Sequence, residues 1–176
     1  RHFLMGMFNL AMGLAPRVAA TIDLSGRRRL LDLGGGPGTY AIHFCQRQPN
    51  LRAVVFDLPT TRPFAEETIA RFGMSERICF EAGDFHETPL PGIFDVVWLS
   101  HILHAESREN CRRIIQKGFD ALFPALFALN MLLGTEGGQA YSQEQVEAML
   151  TQAGLHGIER LPFDAPNDSG ILIGTK

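Results

Sequence analysis

The segment Leu30-Leu31-Asp32-Leu33-Gly34-Gly35-Gly36-Pro37-Gly38-Thr39 constrains this chain more than any other. A short apolar run enters a cluster of glycines, and a helical pattern leaves it. A strand that turns sharply into a helix needs residues without a Cβ, because glycine tolerates left-handed torsions and lets a ligand approach the backbone. The rest of the chain repeats that alternation. Arg29–Leu33, residues 53–56, Ile78–Ala82 and residues 94–99 read as strands, with helices over Thr39–Arg47 and residues 64–72 between them. Residues 111–122 and 142–153 read as further helices, the second with Ser142 as N-cap and Gly154 just past its end. Residues 157–163 and Gly170–Thr175 read as two strands joined by a Pro/Asn/Asp/Gly turn, hence an antiparallel pair. Strands alternating with helices predict an α/β fold with a mostly parallel sheet covered on both faces. One stretch breaks the pattern. A fifth parallel strand is due after Leu122, yet Phe123-Pro124-Ala125-Leu126 leads straight into another apolar segment. The expectation is that the fifth strand is missing, with residues lost between Leu122 and Phe123.

A chain of 176 residues, 45% hydrophobic and 20% charged, suits one domain with a sizeable core. The formal net charge of −3 and the lack of any Lys/Arg run argue against nucleic acid or anionic lipid as partners. Three widely spaced cysteines, Cys45, Cys79 and Cys111, fit a reducing cytoplasm better than a disulfide framework, and no Cys/His spacing suggests a metal. No apolar run reaches about 18 residues, so no membrane span is expected. Residues 1–22 read as one or two helices, with Phe3, Leu4, Met7, Phe8, Met12 and Ala15 near one stripe. They lack the features of a signal peptide and look like a chain entered mid-domain.

The glycine loop narrows the ligand. Dinucleotide sites want G-x-G-x-x-G with a pyrophosphate on the helix N-terminus. Here the third glycine of that pattern would fall at Thr39, and the spacing is instead G-x-G-x-G behind Asp32. An acid before the loop suits a cationic ligand, and S-adenosylmethionine carries a sulfonium and an ammonium but no phosphate. Asp57 closes the second strand, where a carboxylate can accept from both ribose hydroxyls. Gly83-Asp84-Phe85 closes the third, offering an acid for an adenine amino group and an aromatic ring to pack on the base. An ordinary structural turn, and an Asp that merely caps before Pro59, are the plainer readings of the same residues.

Leu31 to Thr39, Phe56-Asp57-Leu58-Pro59, Gly83-Asp84-Phe85 and Ile102-Leu103-His104 together resemble the small-molecule O-methyltransferases of the caffeic acid and acetylserotonin type. Phe127 to Met131, Gly137-Gly138 and Ala153-Gly154-Leu155 resemble the bacterial branch of that group. The resemblance covers nearly the whole chain. It implies the class I, Rossmann-like methyltransferase fold, a seven-stranded mostly parallel sheet with an antiparallel last pair. It implies S-adenosylmethionine as cofactor, held by Gly34, Gly36, Asp57, Leu58, Asp84, Phe85 and Ser100, and no metal. It implies His104 as general base, with Phe8, Met12 and Met131 lining the acceptor pocket. It further implies a homodimer formed through an N-terminal module that is not present here. Residues 1–24 would then be linker helices toward that module, and residues 25–176 the catalytic domain.

Methyl transfer from a sulfonium is an in-line displacement, so a hydroxyl acceptor must be aligned and must lose its proton. A neutral histidine can take that proton near neutral pH. His104 lies just beyond the fourth strand, and His101, three residues earlier, is the lesser candidate on the same helical turn. Ala105 stands where relatives carry an acid after the base, and Ala140 stands where they carry a carboxylate that orients it; Glu106 is the local substitute. The reading is therefore an O-methyltransferase acting on a small aromatic or polyketide-like hydroxyl. A domain that binds S-adenosylmethionine with little or no transfer is the alternative, and an NAD oxidoreductase is disfavoured by Thr39.

Overall fold

The computed structural model describes residues 2–131, 141–163 and 170–176, with side chains described from residue 11 to 122 and in the two later stretches. The chain divides into two compact units, Arg1–Pro89 and Leu90–Lys176.

The first unit holds α1 (His2–Thr21), β1 (Arg29–Leu33), α2 (Thr39–Arg47), β2 (Arg52–Asp57), α3 (Arg62–Arg71) and β3 (Ile78–Ala82). β1 and β2 run parallel from Arg29↔Arg52 to Leu33↔Phe56, and β2 and β3 run parallel from Ala53↔Ile78 to Asp57↔Ala82. Parallel strands in this register end together, so the loops after Leu33, Asp57 and Ala82 leave one edge of the sheet. That edge is where open α/β sheets bind ligands. Leu30, Leu31, Leu33, Val55 and Phe56 are buried, as strands covered on both faces require. Each such side chain contributes about 1.5–3 kcal/mol by leaving water. The expected first helix is one continuous element that packs on α2, and Leu14, Ala15, Val18 and Ala19 in its second half are buried.

The second unit holds β4 (Phe94–Ser100), α4 (Arg108–Asp120), β5 (Leu122–Met131), α5 (Gln143–Gln152), β6 (His156–Leu161) and β7 (Gly170–Thr175). Its strands lie in the order β4, β5, β7, β6. β4 and β5 are parallel, β7 is antiparallel to β5, and β6 is antiparallel to β7. The antiparallel last pair is as the Pro/Asn/Asp/Gly turn predicts.

The missing fifth strand is a wrong expectation. β5 starts directly at Leu122, the residue after the α4 C-cap Ala121, and is paired on both sides. The physical reason is a bulge. The register passes from Phe94↔Leu122 to Val96↔Leu126, so β5 spends two extra residues over that interval. Pro124 falls inside it, where its lack of an N–H costs no ladder bond.

Helix starts follow their caps. Ser107 accepts a hydrogen bond from the Asn110 N–H at 3.2 Å, so α4 opens at Arg108, three residues before the sequence pattern places it. Ser142 caps α5 as expected and forms a reciprocal pair with Gln145.

Candidate functional site

The residues singled out from the sequence fall into two groups, one in each unit. In the first unit the glycine loop leaves β1 with Gly34 at φ 69° and Gly36 at φ 54°, left-handed torsions that only glycine adopts cheaply. The Gly34 N–H donates to the Phe56 carbonyl at 2.8 Å, which ties the loop to β2. The Gly36 N–H donates to Asp57 Oδ2 at 2.8 Å. Asp57 Oδ1 accepts from the Leu58 N–H at 2.7 Å and from Thr61 Oγ1 at 3.2 Å. The loop and the acid at the end of β2 are thus brought together, as the sequence spacing predicts. Their bonding limits what Asp57 can still do. A carboxylate oxygen accepts about two hydrogen bonds, so Oδ1 is committed and Oδ2 retains one place.

Leu58 is a large apolar side chain left 46% exposed beside that acid. A Cβ at Gly36 would meet nothing within 4 Å, so the backbone there borders open space. An open glycine edge, a carboxylate oxygen with spare capacity and an exposed apolar side chain fit a ribose carrying a flat base. Asp84 starts the loop after β3. Its Oδ1 accepts from the His86 N–H at 2.8 Å, and its own N–H donates to Thr88 Oγ1 at 3.1 Å, which fixes the loop that carries Phe85. The Phe85 ring lies 4.7 Å from that of His86, tilted by 56°.

Asp32 behaves differently from the expectation. It is 1% exposed and points under the loop rather than toward a ligand. Its Oδ2 accepts from the Ala41 N–H at 3.3 Å in the first turn of α2, and its Oδ1 has no hydrogen-bond partner. A Cβ on Gly35 would sit 2.5 Å from Asp32 Cγ, so Gly35 is glycine because the carboxyl occupies the space beneath it. Burial pushes the Asp32 pKa up to about 7, against the Ala41 hydrogen bond and with a small addition from Asp57. Asp32 is a brace for the loop, not a counter-charge for a cationic ligand.

In the second unit β4 ends at Ser100, and the chain turns through His101 into a one-turn helix over Leu103–Ala105 that carries His104. His101 has φ 56°, the one non-glycine in the left-handed region among the described residues. That torsion costs about 1–2 kcal/mol, and such strain gathers where the surroundings over-determine the backbone. The two imidazoles meet edge to face, with centroids 6.2 Å apart. They are neighbours through this strained turn, not through a shared helix face. Burial lowers the His101 pKa to about 4, with His104 adding to the effect, and burial alone lowers that of His104. Both rings are therefore neutral at physiological pH.

Nδ1 of His104 is buried without a hydrogen-bond partner. Glu106 does not serve it: its Oε2 accepts from Asn110 Nδ2 at 2.8 Å. Met12 is half-buried in α1, while the side chains of Phe8 and Met131, and all of Ala140, lie outside the described residues. Cys111 and Tyr141 are anchors around the His104 turn that the sequence reading missed. No local pattern marks them, since Tyr141 meets a carbonyl 35 positions away. No group of three metal-ligating side chains and no helix long and apolar enough to cross a membrane is present among the described residues.

Comparison with known proteins follows the same lines. The chain is 35% identical to 3-hydroxy-5-methyl-1-naphthoate 3-O-methyltransferase of Streptomyces sahachiroi, over 99% of this chain and 56% of the relative. It is 31% identical to L-tyrosine C(3)-methyltransferase of Streptomyces lavendulae, over 88% of this chain and 49% of the relative. The chain thus spans about half the length of the curated relatives it matches. The first alignment runs over 195 positions, more than the 176 residues here, so that relative carries residues inside the matched stretch that this chain lacks. Among solved structures, the mitomycin 7-O-methyltransferase MmcR superposes with a TM-score of 0.90 at 26% identity, covering 99% of this chain and 56% of that one. The α/β, Rossmann-like class of fold is shared with these enzymes. Residues 1–165 match the O-methyltransferase domain, and the chain belongs to that family.

Proposed function

We propose that this chain carries the catalytic machinery of an S-adenosylmethionine-dependent O-methyltransferase acting on a hydroxyl of a small aromatic or polyketide-like molecule. The observation that carries the reading is the polar edge at the ends of β1, β2 and β3, where the Gly36 N–H and Asp57 Oδ2 meet at 2.8 Å beside exposed Leu58. Family membership supports S-adenosylmethionine as the methyl donor. The relatives' names support the acceptor class, since one methylates a naphthoate hydroxyl.

In this reading Gly34 and Gly36 border the donor, Asp57 Oδ2 accepts a ribose hydroxyl, Leu58 and Phe85 hold the base, and Asp84 accepts from its amino group. Ser100 contributes from the end of β4, and Phe8, Met12 and Met131 line the acceptor pocket. Bound S-adenosylmethionine supplies a methyl group on a positively charged sulfur, ready for in-line displacement. His104 removes the acceptor proton, which requires a neutral ring, and burial keeps it so. The same reading makes the whole protein a cytoplasmic homodimer that pairs through an N-terminal module, on the strength of the family resemblance and three free cysteines.

One observation favours a second reading, a domain that binds S-adenosylmethionine with weak or no transfer. For Nε2 to accept a proton, the neutral ring must carry its hydrogen on Nδ1, and Nδ1 of His104 is buried without an acceptor. A buried Nδ1 without a partner costs about 1–3 kcal/mol in either tautomer, so no hydrogen bond at that atom selects the form that leaves Nε2 free to accept. Calorimetric titration of the full-length protein with S-adenosylmethionine and S-adenosylhomocysteine tests binding, and absence of heat with both removes either reading. Transfer of labelled methyl to a panel of phenolic acceptors then separates them. Under the first reading His104→Ala loses about 10²–10⁴ in turnover with donor affinity unchanged; under the second there is no transfer to lose.

A further inference from the structure

The turn that carries His104 has no side chain on its imidazole Nδ1 to hold the ring, yet the backbone on either side is tied down. Before it, the Leu103 carbonyl accepts from the Glu106 N–H at 3.1 Å and from Cys111 Sγ at 3.3 Å. After it, the Glu106 carbonyl accepts from Tyr141 Oη at 2.8 Å, with Cys111 Sγ at 3.9 Å. The two donors come from different places. Cys111 is in the first turn of α4, and Tyr141 immediately precedes the Ser142 N-cap of α5. Leu103 and Cys111 are fully buried and Tyr141 is 6% exposed, so water competes little for these bonds. Burial, with Cys111 beside it, pushes the Tyr141 pKa up to about 12, which leaves its hydroxyl a donor throughout the working range.

We propose that Tyr141 and Cys111 are positioning residues for His104, fixing the two carbonyls that bracket it and so setting the direction of a ring whose Nδ1 has no hydrogen-bond partner. The catalytic meaning of this rests on the reading of His104 as base. A strained entry at His101 and a short helical turn would otherwise let the imidazole swing, and a displacement of about 1 Å at a catalytic group costs on the order of a hundredfold in rate. The donors of this clamp are a phenol and a thiol, which carry no charge and leave the ring neutral.

The test is a pH titration of the histidine ring signals by NMR in full-length protein, with His104 assigned from the His104→Ala spectrum. In Tyr141→Phe, which keeps the ring packing and removes the donor, the His104 midpoint moves up toward the ordinary imidazole range as the turn loosens and water reaches it. His43, in α2 of the first unit, holds its midpoint. Turnover falls on the order of tenfold while donor affinity is unchanged. Cys111→Ser keeps a donor and leaves His104 near its starting midpoint, whereas Cys111→Ala moves it. Should Tyr141→Phe not fold, the Cys111→Ala and Cys111→Ser pair reads the same quantity at the other anchor. An unmoved His104 midpoint in both Tyr141→Phe and Cys111→Ala overturns the proposal. So does an equal shift at His43, which would make these residues general stabilisers. The titration reads the ring whether or not it is the base, so this proposal and the base assignment fail separately.

Discussion

Asp32→Asn isolates the cost of burying a carboxyl beneath the glycine loop. The Asp32 pKa rises from 3.8 to about 7, first because burial penalises the charged form, then opposed by the Ala41 N–H and raised slightly by Asp57. The sign follows from proton counting. Between these two values the folded chain holds a proton that the unfolded chain has released. The contribution of Asp32 is therefore fully present below the unfolded pKa and is lost as pH rises toward 7. At about 1.36 kcal/mol per unit, the whole shift has a ceiling of about 4 kcal/mol, of which about 2–3 kcal/mol falls between pH 5 and pH 8. Asparagine has the same shape and does not titrate. Its oxygen can keep the Ala41 N–H, while its amide nitrogen takes the place of the unpartnered Oδ1 at a fixed cost of about 1–3 kcal/mol. The assay is urea unfolding of the full-length protein and the variant at both pH values, because the difference between them cancels every other titrating group. Relative to the parent, the variant gains about 2–3 kcal/mol on going from pH 5 to pH 8. A difference constant to within about 0.5 kcal/mol over that range would refute the buried, charge-penalised carboxyl.

Three further outcomes are expected. Gly35→Ala drives a Cβ to 2.5 Å from Asp32 Cγ and loses about 1–3 kcal/mol in thermal or urea unfolding; stability equal to the parent contradicts the close packing described. Asp57→Ala removes the acceptor of the Gly36, Leu58 and Thr61 hydrogen bonds, and S-adenosylmethionine affinity by calorimetry falls at least about tenfold, the equivalent of one charge-assisted bond. With His104 in the proposed role of base, the pH profile of turnover is flat above neutrality and falls on the acid side with a midpoint below 6.5, since burial lowers the His104 pKa and protonation would remove its accepting nitrogen; a midpoint at or above 6.5 contradicts that reading.

Much of the fold is legible in local sequence because its causes are local. Apolar runs of strand length, helical stripes between them and the Ser142 cap act over a few residues, and each is found where it is expected or within a few positions. The start of α4 is the instructive miss: Ser107 is an N-cap residue type whose side chain takes the Asn110 N–H, and an apolar stripe alone starts the helix too late. β5 is a different kind of miss. Nothing local says that the chain continues from Leu122 into a paired strand with a register shift around Pro124.

The candidate site divides in the same way. The glycine loop and the acid at the end of β2 follow from sequence alone, because a tight strand-to-helix turn needs glycine and a parallel β1–β2 pair puts the next strand end beside it. The chain by itself therefore determined the fold class and the kind of ligand edge it presents. The direction of a side chain and the partner it meets across long separations were decided by tertiary packing. Asp32 turns under Gly35 instead of toward a ligand, Glu106 bonds Asn110 instead of His104, and Tyr141 reaches the carbonyl of Glu106. These outcomes depend on which buried polar groups find partners once the elements have packed, a competition that no stretch of sequence contains.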